Sequence, residues 1–287
     1  MSEKDRAVEN HGARRLGAYG LRLTGVETAR RYLVRAPANW PDLAIEWVRG
    51  VPRIEHDIAE DDWAEYRVLG GGCCVRLDRE PLSARFTTAG VFSADAMVHP
   101  GLGMLAAITN RWLGRDAFHA GAFLAGAGAW GVMGAREAGK STVLGYLATK
   151  GVGIVSDDVL IVGDGHALSG PRCVDLRHSA ADWMGQGVDL GVLGERRRWR
   201  VQVSPVPAAV PLQGWIVPVW GDRVELEAVP PAGRLPLLYA NLGLTRIPRS
   251  PERLLRLAAL PCLIFRRPRR WEAMDEAVVM LLDRVVV

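Results

Sequence analysis

Lysine is nearly absent from this chain: among 36 basic residues in 287, only Lys4, Lys140 and Lys150 are not arginine. Each lysine is therefore informative. A strong excess of one charge is also missing, since 36 basic residues face 32 acidic ones for a net charge of +4, which is too mild a balance to imply a nucleic-acid partner. Cysteine occurs four times, as Cys73, Cys74, Cys173 and Cys262, and never as C-x-x-C. That spacing argues against a thiolate metal cluster, and the expectation is reduced, buried thiols, with Cys73 and Cys74 on opposite faces if they lie on a strand. No uninterrupted apolar run is long enough to cross a bilayer: the most apolar stretch, 117–135, contains His119 and five glycines. The opening residues MSEKDRAVENHGARR are polar and lead into no apolar signal core, so a cytoplasmic protein without membrane contact is expected. There is no internal repeat and no low-complexity segment.

What remains is the composition of a globular protein, 49% hydrophobic and 24% charged. Residues 1–18 are charged and poor in large apolar side chains, which predicts a flexible arm. From 19 to about 100, short runs with β-branched and aromatic enrichment at 43–47, 65–69, 74–77 and 84–88 are separated by glycine and proline, and these predict a small strand-rich region. Leu102, Leu105, Ala106, Ile108 and Trp112 follow helical spacing up to Gly114. Beyond it, strands at 122–125 and 130–133, a glycine-rich loop, a helix over about 140–150 and strands at 153–155 and 159–162 predict an α/β core over 101–287. The last third alternates strands at 201–203, 215–217 and 224–228 with helices near 234–241, 251–259 and 271–285. The final helix carries Trp271, Met274, Ala277, Val278, Leu281, Leu282 and Val285 on one stripe.

The glycine-rich loop reads Gly134-Ala135-Arg136-Glu137-Ala138-Gly139-Lys140-Ser141-Thr142, a match to G-x-x-x-x-G-K-[ST] between a predicted strand and a predicted helix. In such a loop the glycines let backbone N–H groups face a β-phosphate at the positive end of the helix. Lys140 neutralises β- and γ-oxygens, and Ser141 offers its hydroxyl to magnesium. A nucleoside triphosphate, read as ATP, with Mg2+ is the expected ligand. Asp157 and Asp158 follow Lys140 by 17 and 18 residues, far enough for one helix and a returning strand whose carboxyl end lies beside the loop. Two adjacent carboxylates there can divide labour, one accepting a hydroxyl proton and one helping to hold the metal. A metal site of a plain ATPase or GTPase, or a simple turn or cap, uses the same residues.

His119-Ala120-Gly121, the strand pair, the loop 134–142 and then Lys150-Gly151-Val152-Gly153-Ile154-Val155-Ser156-Asp157-Asp158 occur in an order and spacing that resembles the HPr kinase/phosphorylase superfamily. The pattern is similar, more narrowly, to HPr-kinase-related proteins of bacterial biosynthetic clusters, including lasso-peptide kinases. The resemblance implies a P-loop core with a mixed sheet of the HPr kinase C-terminal-domain type. It further implies Lys140 and Ser141 on the phosphates and magnesium, Asp157 as catalytic base, Asp158 on the metal side, and His119 in the active site. Gly170-Pro171-Arg172-Cys173-Val174-Asp175-Leu176-Arg177 resembles the stretch that follows the acidic pair in those kinases, which makes Arg177, and secondarily Arg172, candidates to stabilise charge on the transferred phosphoryl group.

The expected activity is transfer of the γ-phosphate of ATP to a serine-type hydroxyl on a peptide, such as a ribosomally made natural product, or on a small metabolite. A nucleotide-binding regulator or an ATPase without acceptor is the alternative. Thr142 stands where HPr kinases carry glutamate, and no Glu-x-Arg-Gly segment occurs, so HPr itself is not the expected acceptor. Acceptor choice is assigned to the N-terminal region, where Trp40, Trp47 and Trp63 form either core or groove. The run Glu195-Arg196-Arg197-Arg198-Trp199 is read as a mobile phosphate-contacting loop or a solvated face. A homo-oligomer follows from the resemblance alone.

Overall fold

The computed structural model describes residues 15–90, 93–244 and 250–286. The N-terminal region is an eight-stranded mixed sheet between Leu16 and Thr88, and it contains all four predicted runs, as Asp42–Arg49, Trp63–Val68, Cys73–Asp78 and Ser83–Thr88. Alternation explains its faces: Leu43, Ile45, Ala64, Tyr66, Cys73, Val75, Leu77, Ala84 and Phe86 are buried on one side. The arm expected over 1–18 needs a correction at its end. Leu16–Ala18 is a strand paired with both Leu21–Thr24 and Val34–Arg35, because Leu16 and Ala18 supply the apolar residues that the preceding segment lacks. The rest of the arm, 1–14, lies outside the described residues.

The helix Leu102–Trp112 packs against this sheet and ends at Gly114, whose φ of +73° is readily adopted only by glycine. Its buried Asn110 donates to the Tyr19 carbonyl, which ties the two regions together. The second unit is a nine-stranded mixed sheet with helices, so the architecture is α/β. Strand Ala209–Trp220 runs parallel to both Gly128–Met133 and Cys262–Arg267, whereas Ala120–Ala125 is antiparallel to both Gly128–Met133 and Ile154–Ser156. Consequently the carboxyl ends of Gly128–Met133, Ile154–Ser156, Ala209–Trp220 and Cys262–Arg267 emerge at the same edge. Loops leaving that edge converge.

Helices Lys140–Thr149 and Met274–Val286 cover this sheet, the latter through Met274, Ala277, Val278, Leu281 and Val285 as the stripe predicts. Pro231–Ala240 and Pro251–Ala259 pack through Leu238, Leu254 and Leu257 against Trp215 and Met133. A three-stranded sheet, Cys173–Leu176, Arg196–Gln202 and Val188–Leu193, lies beside them. It corrects the reading of 195–199 as a mobile loop or solvated face: Arg196–Gln202 is a central strand in which Arg198 and Arg200 are buried. Cys73, Cys173 and Cys262 are buried free thiols, and Cys74 is on the opposite, partly exposed face from Cys73. Trp40 is buried, while Trp47 stacks on Phe86 at 4.6 Å at the sheet surface. Among the described residues, no helix is long and apolar enough to cross a membrane.

Candidate active site

A cleft of about 1180 Å³ opens at the convergent sheet edge, between the loop 134–142 and a wall formed by residues 67–71 and Met104. The loop leaves Gly128–Met133 and enters the helix Lys140–Thr149 through Gly139, at φ +85°. A Cβ at Gly139 would collide with the Arg267 guanidinium, so both backbone angle and space require glycine there. The other end of the loop is anchored by a residue that carried no sequence signal. Asn241 caps Pro231–Ala240, accepts the Gly134 N–H through Oδ1 at 2.9 Å, and accepts the His119 N–H on its carbonyl at 2.7 Å. One residue thus aligns the loop with His119. Lys140 is buried and donates to the Gly134 and Ala135 carbonyls at 2.7 and 3.2 Å, so its ammonium lies inside the curl.

The two aspartates occupy different environments. Asp157 is only 6% exposed; its Oδ1 accepts from Ser141 Oγ at 2.9 Å and its Oδ2 from the Asp175 N–H at 3.1 Å. Burial, reinforced by the negative charge of Asp158, pushes its pKa up to about 7. Asp158 instead lines the cleft, with Oδ1 3.5 Å from His119 Nδ1 and Oδ2 3.6 Å from His99 Nε2. Burial alone would raise it, but the facing imidazoles of His99 and His119 and the guanidinium groups of Arg196 and Arg198 outweigh burial and hold it below the usual carboxylate range. Asp158 and Glu137 are both non-glycine residues at positive φ, +66° and +68°, a conformation that costs of order 1 kcal/mol and is retained here at the two sides of the cleft. Of the two, Asp158 is the carboxylate that lines the cleft, and Asp157 lies behind it against Ser141.

Below Asp158 lies an ion-pair network invisible in the sequence. Arg200 forks onto Asp175 through Nε at 2.6 Å and Nη2 at 2.8 Å, and also donates to the Asp95 and His99 carbonyls. It holds His99 against Asp158 and Asp175 against Asp157. Burial lowers the His99 pKa, which favours its neutral form.

The predicted arginines do not meet in the cleft as expected. Arg177 lines it, but its guanidinium is paired with Glu137 at 2.9 Å and exposed. Arg172 turns away toward the N-terminal unit and donates to the Arg31 carbonyl, because its backbone pairs with Tyr32 there. A further arginine, Arg267, at the end of the strand Cys262–Arg267, packs against the loop at Gly139 and lies over Trp220 at 4.1 Å. Its chain position, far from every motif, hid it.

A magnesium ion fits these residues. Ser141 Oγ and the buried Asp157 carboxylate are adjacent hard oxygen donors. Among the described residues no three His, Cys, Asp or Glu side chains converge to hold a metal unaided.

Asp157 also predicts a pH dependence. Because its folded pKa lies above the unfolded value near 3.8, the folded state binds the extra proton. Its contribution to stability is complete below about pH 4 and is lost as pH rises through about 7. In chelator, the difference in unfolding free energy between wild type and Asp157→Asn should therefore change between pH 4 and 7, with the wild type losing ground as pH rises. A difference that stays flat over that window excludes the raised pKa.

No protein-family model matches the chain, and no curated protein matches it either. Among solved structures it is similar to the HPr(Ser) kinase/phosphatase from Coxiella burnetii. The identity is 12%, the match spans 59% of this chain and 94% of that one, and the TM-score is 0.28.

Proposed function

We propose that the protein is an ATP- and Mg2+-dependent kinase that transfers the γ-phosphate to a serine-type hydroxyl of a peptide or small metabolite. The observation that carries this reading is the shared cleft: the curled loop with Lys140 and Ser141 and the histidine-flanked Asp158 face one space beside a second, buried aspartate. The sequence resemblance points the same way.

We assign Asp158 as the base and Asp157, with Ser141, to the metal. Asp157 has the pKa better matched to neutral pH, but geometry ranks first, and both its oxygens are already engaged, by Ser141 and by the Asp175 N–H. The acceptor O–H bond breaks with its proton passing to Asp158, the oxygen bonds to the γ-phosphorus, and the bond from phosphorus to the bridging oxygen breaks to release ADP. In a loose phosphoryl-transfer transition state the hydroxyl keeps its proton until late, so a weak but fully ionised base suffices. Magnesium, when bound, draws charge from the β- and γ-oxygens. Lys140 follows the same oxygens, and His119 and His99 keep Asp158 oriented. The wall at 67–71, from the end of the strand Trp63–Val68 and the turn after it, belongs to the N-terminal unit and supports a role for that unit in acceptor choice.

The test is incubation with γ-labelled ATP, Mg2+ and a panel of hydroxyl-bearing peptides and metabolites, read by intact mass. Label on a serine-type hydroxyl is expected. Phosphate release with no labelled acceptor across the panel would make the protein a hydrolase, and no nucleotide binding at all would remove the reading entirely.

A further inference from the structure

Arg267 is 3% exposed, and its Nε and Nη2 are buried without a hydrogen-bond partner among the described residues. Burial alone lowers its pKa to about 10, with no carboxylate acting on it. An unpaired buried guanidinium is costly, because the charge is desolvated without Coulombic return. The surroundings give partial relief only: the ring of Trp220 lies 4.1 Å from the guanidinium carbon, and the Trp220 indole N–H is spent on the Glu137 carbonyl at 3.1 Å. The group is aimed at the loop, since its Nη2 occupies the space where a Gly139 Cβ would stand, and Arg267 also lines the cleft.

We infer that Arg267 is a phosphate-binding residue of the loop, supplying a guanidinium fork to the β-phosphate side of a bound nucleoside di- or triphosphate from the flank opposite the aspartates. The inference rests on the nucleotide-binding reading above. It gives a reason for the uncompensated charge: an anion completes it, and the unliganded protein carries the cost. Trp220 holds the fork flat, and the same indole pins the loop at Glu137, so fork and loop are presented together. Arg177, by contrast, is paired with Glu137.

Arg267→Met separates this role from a structural one, because methionine keeps an apolar stem under Trp220 while removing the charge. The expected result is an unliganded melting temperature equal to or above wild type. Affinity for ATP, ADP and inorganic pyrophosphate, measured by calorimetry, should be roughly tenfold to a hundredfold weaker, and adenosine affinity unchanged. Arg267→Lys should fall between. Wild-type affinity for ATP and pyrophosphate in Arg267→Met overturns the inference. So does a variant that melts well below wild type or does not fold, since the arginine would then be a structural brace. If wild type itself binds no nucleotide or pyrophosphate, the failure belongs to the nucleotide reading and is visible before any variant is compared.

Discussion

Asp158→Asn should lower kcat for phosphoryl transfer by about 10² to 10⁴ while leaving ATP affinity within a few-fold of wild type. Asparagine is nearly isosteric and keeps a polar group between His119 and His99, so loop geometry survives and only the proton acceptor is lost. Asp157→Asn should behave differently. It removes charge next to Ser141, so its main effect should be a higher Mg2+ requirement and weaker Mg·ATP binding, with kcat partly recovered at high Mg2+. Rates measured over a Mg2+ titration distinguish the two. If Asp157→Asn abolishes turnover at saturating Mg·ATP while Asp158→Asn retains it, the base is Asp157, and the geometric assignment is wrong.

Arg200→Met should destabilise the fold by roughly 3–5 kcal/mol, a fall in melting temperature of about 10 °C for a chain of this size. The Arg200 and Asp175 side chains are 1% and 2% exposed, and removing the fork strands the Asp175 carboxylate; Arg198, at 3.4 Å, is too distant to replace two bonds at 2.6 and 2.8 Å. Pairing the change with Asp175→Asn should restore most of the loss, because a neutral pair leaves no stranded charge. The single variant should also impair turnover beyond its stability loss at permissive temperature, since Arg200 carries the His99 carbonyl that places the ring beside Asp158. A melting temperature within about 2 °C of wild type would show that the network contributes nothing net, the outcome of a desolvation cost that cancels the Coulombic gain.

Much of this was legible in the residues, and the parts that were not share a cause. The loop 134–142, its flanking strand and helix, and the stripe of the last helix are written in local spacing, and they appear where spacing places them. The strands Cys173–Leu176 and Cys262–Arg267 have only short apolar runs, and nothing nearby distinguishes a buried sheet strand from a loop in such runs. The arginine run at 195–199 misled for the opposite reason. Charge in sequence reads as exposure, yet alternate arginines of Arg196–Gln202 point inward and are paid for by Asp175, a residue on another strand.

His99, Asn241, Arg200 and Arg267 had no motif because each acts across a gap of 59 to 128 residues on a partner it meets only after folding: Asp158, Gly134, His99 and Gly139. By itself the sequence determined the chemistry on offer: a rare lysine in a glycine-rich curl, a serine beside it and two adjacent carboxylates, all within one strand-loop-helix-strand unit whose geometry is local. Only the tertiary structure decided how that chemistry is divided. Which aspartate is buried against Ser141 and which faces the cleft depends on Asp175, His99 and the arginines brought in from other strands, because burial and neighbouring charge, unlike residue identity, exist only once the chain has packed.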